Sequence, residues 1–515
     1  VRYKCTISVA NSYLRIHGYA EEFARKILLP FCHHHLFKFG MIPSESNPMI
    51  QTYGVTHRFA RFNKDKTELR ITSTLLPDLK NFITQRGYSD NDILIDDEPL
   101  IEPIKVELKF KVGFDQPNKP EQYDWMPYLT DDGPLKLNNA ATGVGKGWLD
   151  LYAAVAAGER VVIIGNARFL PIWNVECGKF LDLQPKDYHV ADAGGLDVLM
   201  DQLKSGVINP KILVISLSKI DVMVRKSRLD ETYPTLDDVY KLFRPGLRIY
   251  DEVHESIHQV YLSLMFGNIK KTIGNTATFK AEDPFTNKIY KYLFPESVRL
   301  KDTVYTAHMH IKAIHYRINT RQNKIRTTAR GVYNDTTFEA SIMDNKKLRP
   351  HYIELMLWCF REYYLNRRKP ESKCLFFFTK VETCKFMVEE LKKRYPELDA
   401  ISFTGEQGGK ADTKDEYRKH EIVFSTPGSC GTGKDIPGLI TCISFHNVKS
   451  VQRNYQMRGR VRENKNPLHN GVDLIFGYTV CDDVDKHVSY HHYRKELFEE
   501  SSLSYQNVDS GIFMY

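Results

Sequence analysis

Continuous apolar runs too short to be helices recur along this chain, with helical patterns between them. Val161–Gly165 and Ile212–Ser216 are the clearest. A run that is apolar at every position, rather than at alternate ones, suits a strand buried on both faces, and so a parallel sheet covered by helices. The alternation occupies residues 121–305 and resumes after Arg321, where 374–378, 422–424 and 440–445 read as strands and 382–394 as a helix. The pattern predicts two α/β units in tandem. Before them, short alternating segments at 6–9 and 69–72, with helical patterns at 21–29 and 77–86, predict a small α+β domain. Residues 113–120, rich in Gly, Pro and polar side chains, read as a linker. The expected organisation is therefore 1–112, 113–305 and 306–515, the last ending in a helical segment.

A length of 515 residues accommodates this division at ~150 residues per domain. With 42% hydrophobic and 26% charged residues, the chain can build sizeable cores. It shows neither a run of ~18 apolar residues nor a signal-peptide pattern, so a cytoplasmic protein with no membrane partner is expected. The nine cysteines are scattered without a framework, which suits a reducing compartment. A net charge of +8 permits a polyanionic partner without requiring one. Cys32-His33-His34-His35 lacks the spacing of a tetrahedral metal site, because consecutive ligands rarely converge on one ion.

Asp251-Glu252-Val253-His254 closes the apolar run that contains Leu247, Ile249 and Tyr250. Two adjacent carboxylates at a strand end suit a magnesium nucleotide, with Asp251 holding the metal and Glu252 polarising the attacking water. Upstream, Ala140-Ala141-Thr142-Gly143-Val144-Gly145-Lys146-Gly147 has the small residues that let backbone N–H groups converge on phosphate oxygens. Lys146 supplies charge to the β- and γ-phosphates. Residues 148–157 then read as a helix whose N-terminus faces the phosphates. Gly147 stands where a Ser or Thr hydroxyl would bind magnesium. The site residues expected here are Thr142, Gly143, Val144, Gly145, Lys146 and Gly147, with ATP and Mg²⁺ as ligands.

Further along, Lys271-Thr272-Ile273-Gly274-Asn275-Thr276-Ala277-Thr278 follows the acidic motif, with hydroxyls at Thr276 and Thr278. Gly431-Thr432-Gly433-Lys434-Asp435 forms a loop after a strand. Gln456-Met457-Arg458-Gly459-Arg460-Val461-Arg462 offers planar, multidentate donors suited to developing γ-phosphate charge.

Taken in order, these motifs resemble those of the superfamily 2 helicases, and within them most closely the UvsW-type DNA helicases of T-even phages. The motif-bearing resemblance covers about residues 121–465 and implies two RecA-like domains. It implies that Lys146 is the phosphate lysine and that Asp251 and Glu252 are the metal and water pair. Thr276, Thr278 and His254 would be the coupling residues, and Gln456, Arg460 and Arg462 would complete the ATP site together with Gly433 and Asp435. Gln122 is the candidate adenine-reading glutamine. The sequence departs from the family at Ala140, which replaces the first loop glycine, and at Glu463, where many relatives carry the second arginine.

The resemblance implies an ATP-dependent DNA helicase or translocase that unwinds or branch-migrates forked or branched DNA in recombination and replication, inside a phage-infected host cell. Two alternatives stand beside it: an RNA-directed or transcript-releasing helicase, and a non-hydrolysing nucleic-acid-binding relative, for which Gly147 is the main support. Loops at strand ends are expected to hold the sugar–phosphate track, with Arg168, Ser218, Lys380 and Thr404 as candidates. Phe169 and Trp173 are aromatic candidates for base stacking, against a core-packing alternative. Arg58, Arg61, Lys64 and Lys66 surround an expected hairpin in the N-terminal domain.

Overall fold

The computed structural model describes residues 3–43, 51–140, 143–191, 194–230, 232–277, 279–281, 283–301, 307–329, 331–404, 416–430, 436–462, 466–499 and 501–515. The chain forms two compact units, residues 1–303 and 304–515.

The first unit is built on a six-stranded sheet in the order Tyr188–Ala191, Ile212–Ser216, Val161–Gly165, Leu247–Tyr250, Lys271–Asn275, Leu135–Asn138. Every pairing in it is parallel. Successive side chains of its central strands enter different cores. Val162, Ile164, Leu213 and Ile215 join one hydrophobic cluster, and Val161, Ile163, Ile212 and Val214 the other. That division is why these strands are apolar at every position.

One of those clusters continues into a five-stranded sheet near the N-terminus, ordered Arg61–Phe62, Glu68–Thr72, Tyr13–His17, Cys5–Val9, Ile93–Asp97. Its Ile7, Leu14, Ile16, Leu69 and Ile71 share a core with Tyr240, Tyr250 and Tyr261 of the parallel-sheet region. Polar links reinforce the seam. Asn11 N–H donates to Asn268 Oδ1 at 2.9 Å, and Thr72 N–H donates to the Tyr261 hydroxyl at 3.2 Å. A separate antiparallel hairpin pairs Phe37–Pro43 with Gln51–Arg58. Lys64 and Lys66 lie in the turn between Arg61–Phe62 and Glu68–Thr72.

The second unit carries a seven-stranded, wholly parallel sheet in the order Ala400–Phe403, Ile422–Ser425, Lys373–Phe377, Leu439–Ser444, Ile475–Cys481, His310–Ile318, Ser504–Met514. Stacked rings fill its core: Phe376 on Phe424 with centroids 5.0 Å apart, and Phe378 on Phe445 at 4.6 Å. The α/β class and the tandem parallel sheets agree with the reading of the sequence. Among the described residues no helix is long and apolar enough to cross a membrane.

Candidate active site

Three neighbouring strands of the first unit end on the same side of the sheet, where a parallel α/β sheet places its binding crevice. Leu135–Asn138 leads into the phosphate-loop segment, Leu247–Tyr250 into Asp251-Glu252, and Lys271–Asn275 into Thr276.

The loop owes its shape to glycine. Gly143 and Gly145 have φ of 83° and 84°, a left-handed conformation in which a Cβ is strained. Gly145 caps the helix Lys146–Ala157, which ends at a second left-handed glycine, Gly158. Two side chains outside the loop hold its carbonyls: Lys119 Nζ donates to Gly143 O at 2.9 Å, and Gln122 Nε2 donates to Val144 O at 2.8 Å. Gln122 is buried, and its Oε1 accepts from the backbone N–H groups of Asn118 and Lys119. Both ends of this amide therefore engage the backbone around the loop. Lys146 Nζ donates to Ala140 O at 2.9 Å.

Asp251 follows the central strand, its N–H donating to Ile164 O at 2.9 Å. Trp173, buried on the helix Leu170–Phe180, donates its indole N–H to Asp251 Oδ2 at 2.9 Å. Trp173 is thus packed in the core and orients the metal-candidate carboxylate. Burial, and then the neighbouring Glu252, push the Asp251 carboxyl up to about 7, while Lys146 pulls the other way. Asp150, buried on the loop helix, is driven well above the usual carboxylate range, chiefly by burial. A positive charge entering here would hold these carboxyls ionised.

Glu252 adopts a φ of 48°. This left-handed conformation is rare for a residue with a Cβ and costs of order ~1 kcal/mol or more. His254 is buried, with Nδ1 hydrogen-bonded to Thr276 Oγ1 at 2.7 Å and 3.2 Å from Glu252 Oε2. The fold thus joins Glu252, His254 and Thr276 in one short chain of contacts. Thr276 N–H in turn donates to Asn138 O at 3.1 Å, at the foot of the phosphate loop.

In the second unit, the helix Val451–Arg458 carries Gln456 and leads into Arg460 and Arg462. Arg460 is buried and its Nε donates to Gln456 O at 3.2 Å. Arg462 lines a cavity of about 1000 Å³ with Arg368, Lys369, Lys373 and Lys419. Among the backbone-track candidates, Arg168 pairs with Glu255, and Ser218 is exposed with its hydroxyl 2.8 Å from that of Ser216. Thr404 is buried, and Lys380 is half-buried with its N–H donating to Glu339 Oε1 at 3.0 Å. Thr142, Thr278, Gly433 and Asp435 lie outside the described residues.

Two residues near the site were not singled out from the sequence: Glu176, whose carboxylate lies against Gly147, and Asp150. The only advance signal was the missing hydroxyl at Gly147.

No family model matches the sequence, and no curated protein matches it. Among solved structures, the chain is similar to S. cerevisiae Dbp5 bound to RNA and ADP BeF3, with a TM-score of 0.47 and 14% identity over 76% of this chain and 89% of that one. It is also similar to the Hef helicase domain of Pyrococcus furiosus, with a TM-score of 0.42 and 13% identity over 73% of this chain and 98% of that one.

Proposed function

We propose that this chain is a nucleic-acid-dependent ATPase of the helicase kind, which hydrolyses ATP at the Lys146 loop and uses turnover to move along or separate strands. One observation carries the reading: the phosphate-type loop, the Asp251-Glu252 pair and the Glu252–His254–Thr276 contacts all lie at the carboxyl ends of one parallel sheet.

In this reading the backbone N–H groups of Gly143–Gly147 cradle the phosphates, with Lys146 supplying charge. The donor set fits a divalent cation, since Asp251 offers a carboxylate and the buried Asp150 keeps an oxygen, Oδ1, without a hydrogen-bond partner. Mg²⁺, when bound, neutralises phosphate charge as a Lewis acid. Glu252 orients the attacking water and accepts its proton. His254 contacts that carboxylate and Thr276 contacts His254, a chain that would relay its state to the neighbouring strand end. Gln456, Arg460 and Arg462 are assigned to the γ-phosphate by motif order, where an arginine can contribute roughly 10³–10⁵ in rate. Thr142, Thr278, Gly433 and Asp435 keep their assignments on motif order alone.

The finer reading is that the polymer is DNA, forked or branched, and that the motor unwinds or branch-migrates junctions. It is supported by the motif order and layout shared with the UvsW-type helicases. ATPase stimulation by a four-way junction, forked DNA, plain duplex and single-stranded RNA tests it, with each polymer at equal nucleotide concentration. Strongest stimulation by forked or junction DNA is expected. RNA as the strongest activator would move the substrate to RNA, and no activation by any polymer would overturn the motor itself.

A further inference from the structure

Gly147 leaves a space that another residue fills. A Cβ built on it would lie 1.8 Å from Glu176 Oε2, 2.7 Å from Cδ and 3.1 Å from Oε1, well inside contact distance. A Ser or Thr at 147 and the present position of Glu176 are therefore mutually exclusive. Glu176 sits on the helix Leu170–Phe180, three residues after Trp173. Residues three apart share a helix face. One face of this helix thus delivers the Trp173 indole to Asp251 and the Glu176 carboxylate to the first turn of the phosphate helix.

Asp150 supplies a second, independent sign. It is fully buried on the phosphate helix, three residues after Gly147, and its Oδ2 accepts from the Asn275 side-chain amide. Its Oδ1 has no hydrogen-bond partner, and its charged neighbours are Asp251, Glu176 and Lys146. A buried acceptor left open beside two further carboxylates is costly, and a divalent cation relieves the cost. Among the described residues no three acidic, His or Cys side chains converge to hold an ion unaided. A cation that arrives with a nucleotide needs only one or two carboxylates, because phosphates and waters complete its shell.

We propose that Glu176 takes the part of the absent loop hydroxyl: seated against Gly147, its carboxylate joins Asp251 in holding the nucleotide's Mg²⁺, directly or through a water. The proposal rests on the ATPase reading above. It has a consequence that a neutral hydroxyl would not have. Without the cation, the Glu176 charge opposes the phosphates; with it, the carboxylate helps to hold the ion that binds them. Nucleotide affinity should therefore depend unusually steeply on Mg²⁺.

The test is the affinity of the full chain for a fluorescent ADP analogue, measured in Mg²⁺ and in EDTA, for the wild type, Glu176→Gln and the double variant Gly147→Ser/Glu176→Ala. Circular dichroism verifies that each is folded. The expected result is that Glu176→Gln loses roughly tenfold or more of the Mg²⁺ enhancement, while its affinity in EDTA is equal to or tighter than the wild type's. The double variant should regain part of the enhancement through its new hydroxyl. An unchanged Mg²⁺ enhancement in folded Glu176→Gln would overturn the proposal and leave the nucleotide site standing. A wild-type chain that binds the analogue in neither condition would instead overturn the nucleotide-site reading, and this proposal with it.

Discussion

At the scale of single residues, the site is defined by backbone conformations that ordinary side chains avoid. Glu252 is held at a φ of 48° at the end of a strand, and Gly145 at 84° where the phosphate loop meets its helix. The second position makes a sharp prediction. A Cβ on Gly145 would lie 2.5 Å from Gln122 Nε2, the atom that donates to Val144 O. Gly145→Ala therefore strains the backbone by ~1–3 kcal/mol and dislodges the amide that fixes the loop. Nucleotide affinity should fall by roughly tenfold or more, about 1.4 kcal/mol; wild-type affinity in a nucleotide titration of the folded variant would contradict this. The glycine turns ahead of Lys146 were legible in the sequence, because small residues before a helical run mark a tight loop into a helix. Glu176 was not, since nothing in its own surroundings marks it. Its meaning comes from a contact with Gly147 across two helices, which the linear sequence does not encode.

At the scale of elements, Val161–Gly165 and Ile212–Ser216 were readable as strands, because burial on both faces writes itself as unbroken apolar sequence. The helix after the loop was readable from residue 148 and begins two positions earlier, at Lys146, because Gly145 rather than a side-chain cap starts it. Arg248 shows where such reading stops. It interrupts an apolar strand yet is fully buried. Its guanidinium donates to Phe266 O at 2.7 Å and Ser12 Oγ at 3.0 Å, and lies 5.6 Å from the Tyr250 ring centroid. Ser12 comes from the N-terminal sheet region and Phe266 from beyond the following helix, so the strand's tolerance of an arginine is a tertiary fact. Arg248→Ala removes the packing and leaves buried acceptors unmet, and should destabilise the first unit by about 3–5 kcal/mol. Trp125, Trp148 and Trp173 lie in that unit, so urea unfolding followed by tryptophan fluorescence reports on it. An unshifted midpoint would mean that Arg248 does not join the two sheets energetically.

At the scale of the whole molecule, a buried carboxylate in the second unit links stability to pH. In the second unit, buried Asp335 accepts from His446 Nδ1 at 2.9 Å and from Asn447 N–H at 2.7 Å, with His487 also beside it. Burial alone would raise its carboxyl, but hydrogen bonds from His446 and His487 outweigh burial and hold it well below the usual range. Burial lowers His487, more than the nearby Asp335 raises it. Both shifts have the same sign of effect. A depressed carboxylate stabilises the fold above its unfolded value, near pH ~4, and loses that contribution as pH falls further. A depressed histidine favours the fold less as pH drops below its unfolded value of about 6.5, because the unfolded chain then takes up the proton. Buried Glu339, whose carboxyl burial raises to about 7, opposes His487 between about pH 7 and 4.5, so the second unit should lose stability chiefly below about pH 4. Asp335→Asn should flatten that loss. Thermal melting of both proteins across this range checks the sign, and stability that rises on acidification below about pH 4 would refute it.

The central claim is that the Lys146 loop and Asp251-Glu252 form a working ATPase. Steady-state hydrolysis with Mg²⁺, with and without nucleic acid, in the wild type beside Glu252→Gln tests it most directly. Turnover that nucleic acid stimulates, and that falls by roughly 10²–10⁴ in a variant that still binds nucleotide, is the predicted result. Equal turnover in the two proteins, or none in the wild type with any nucleic acid, would contradict it.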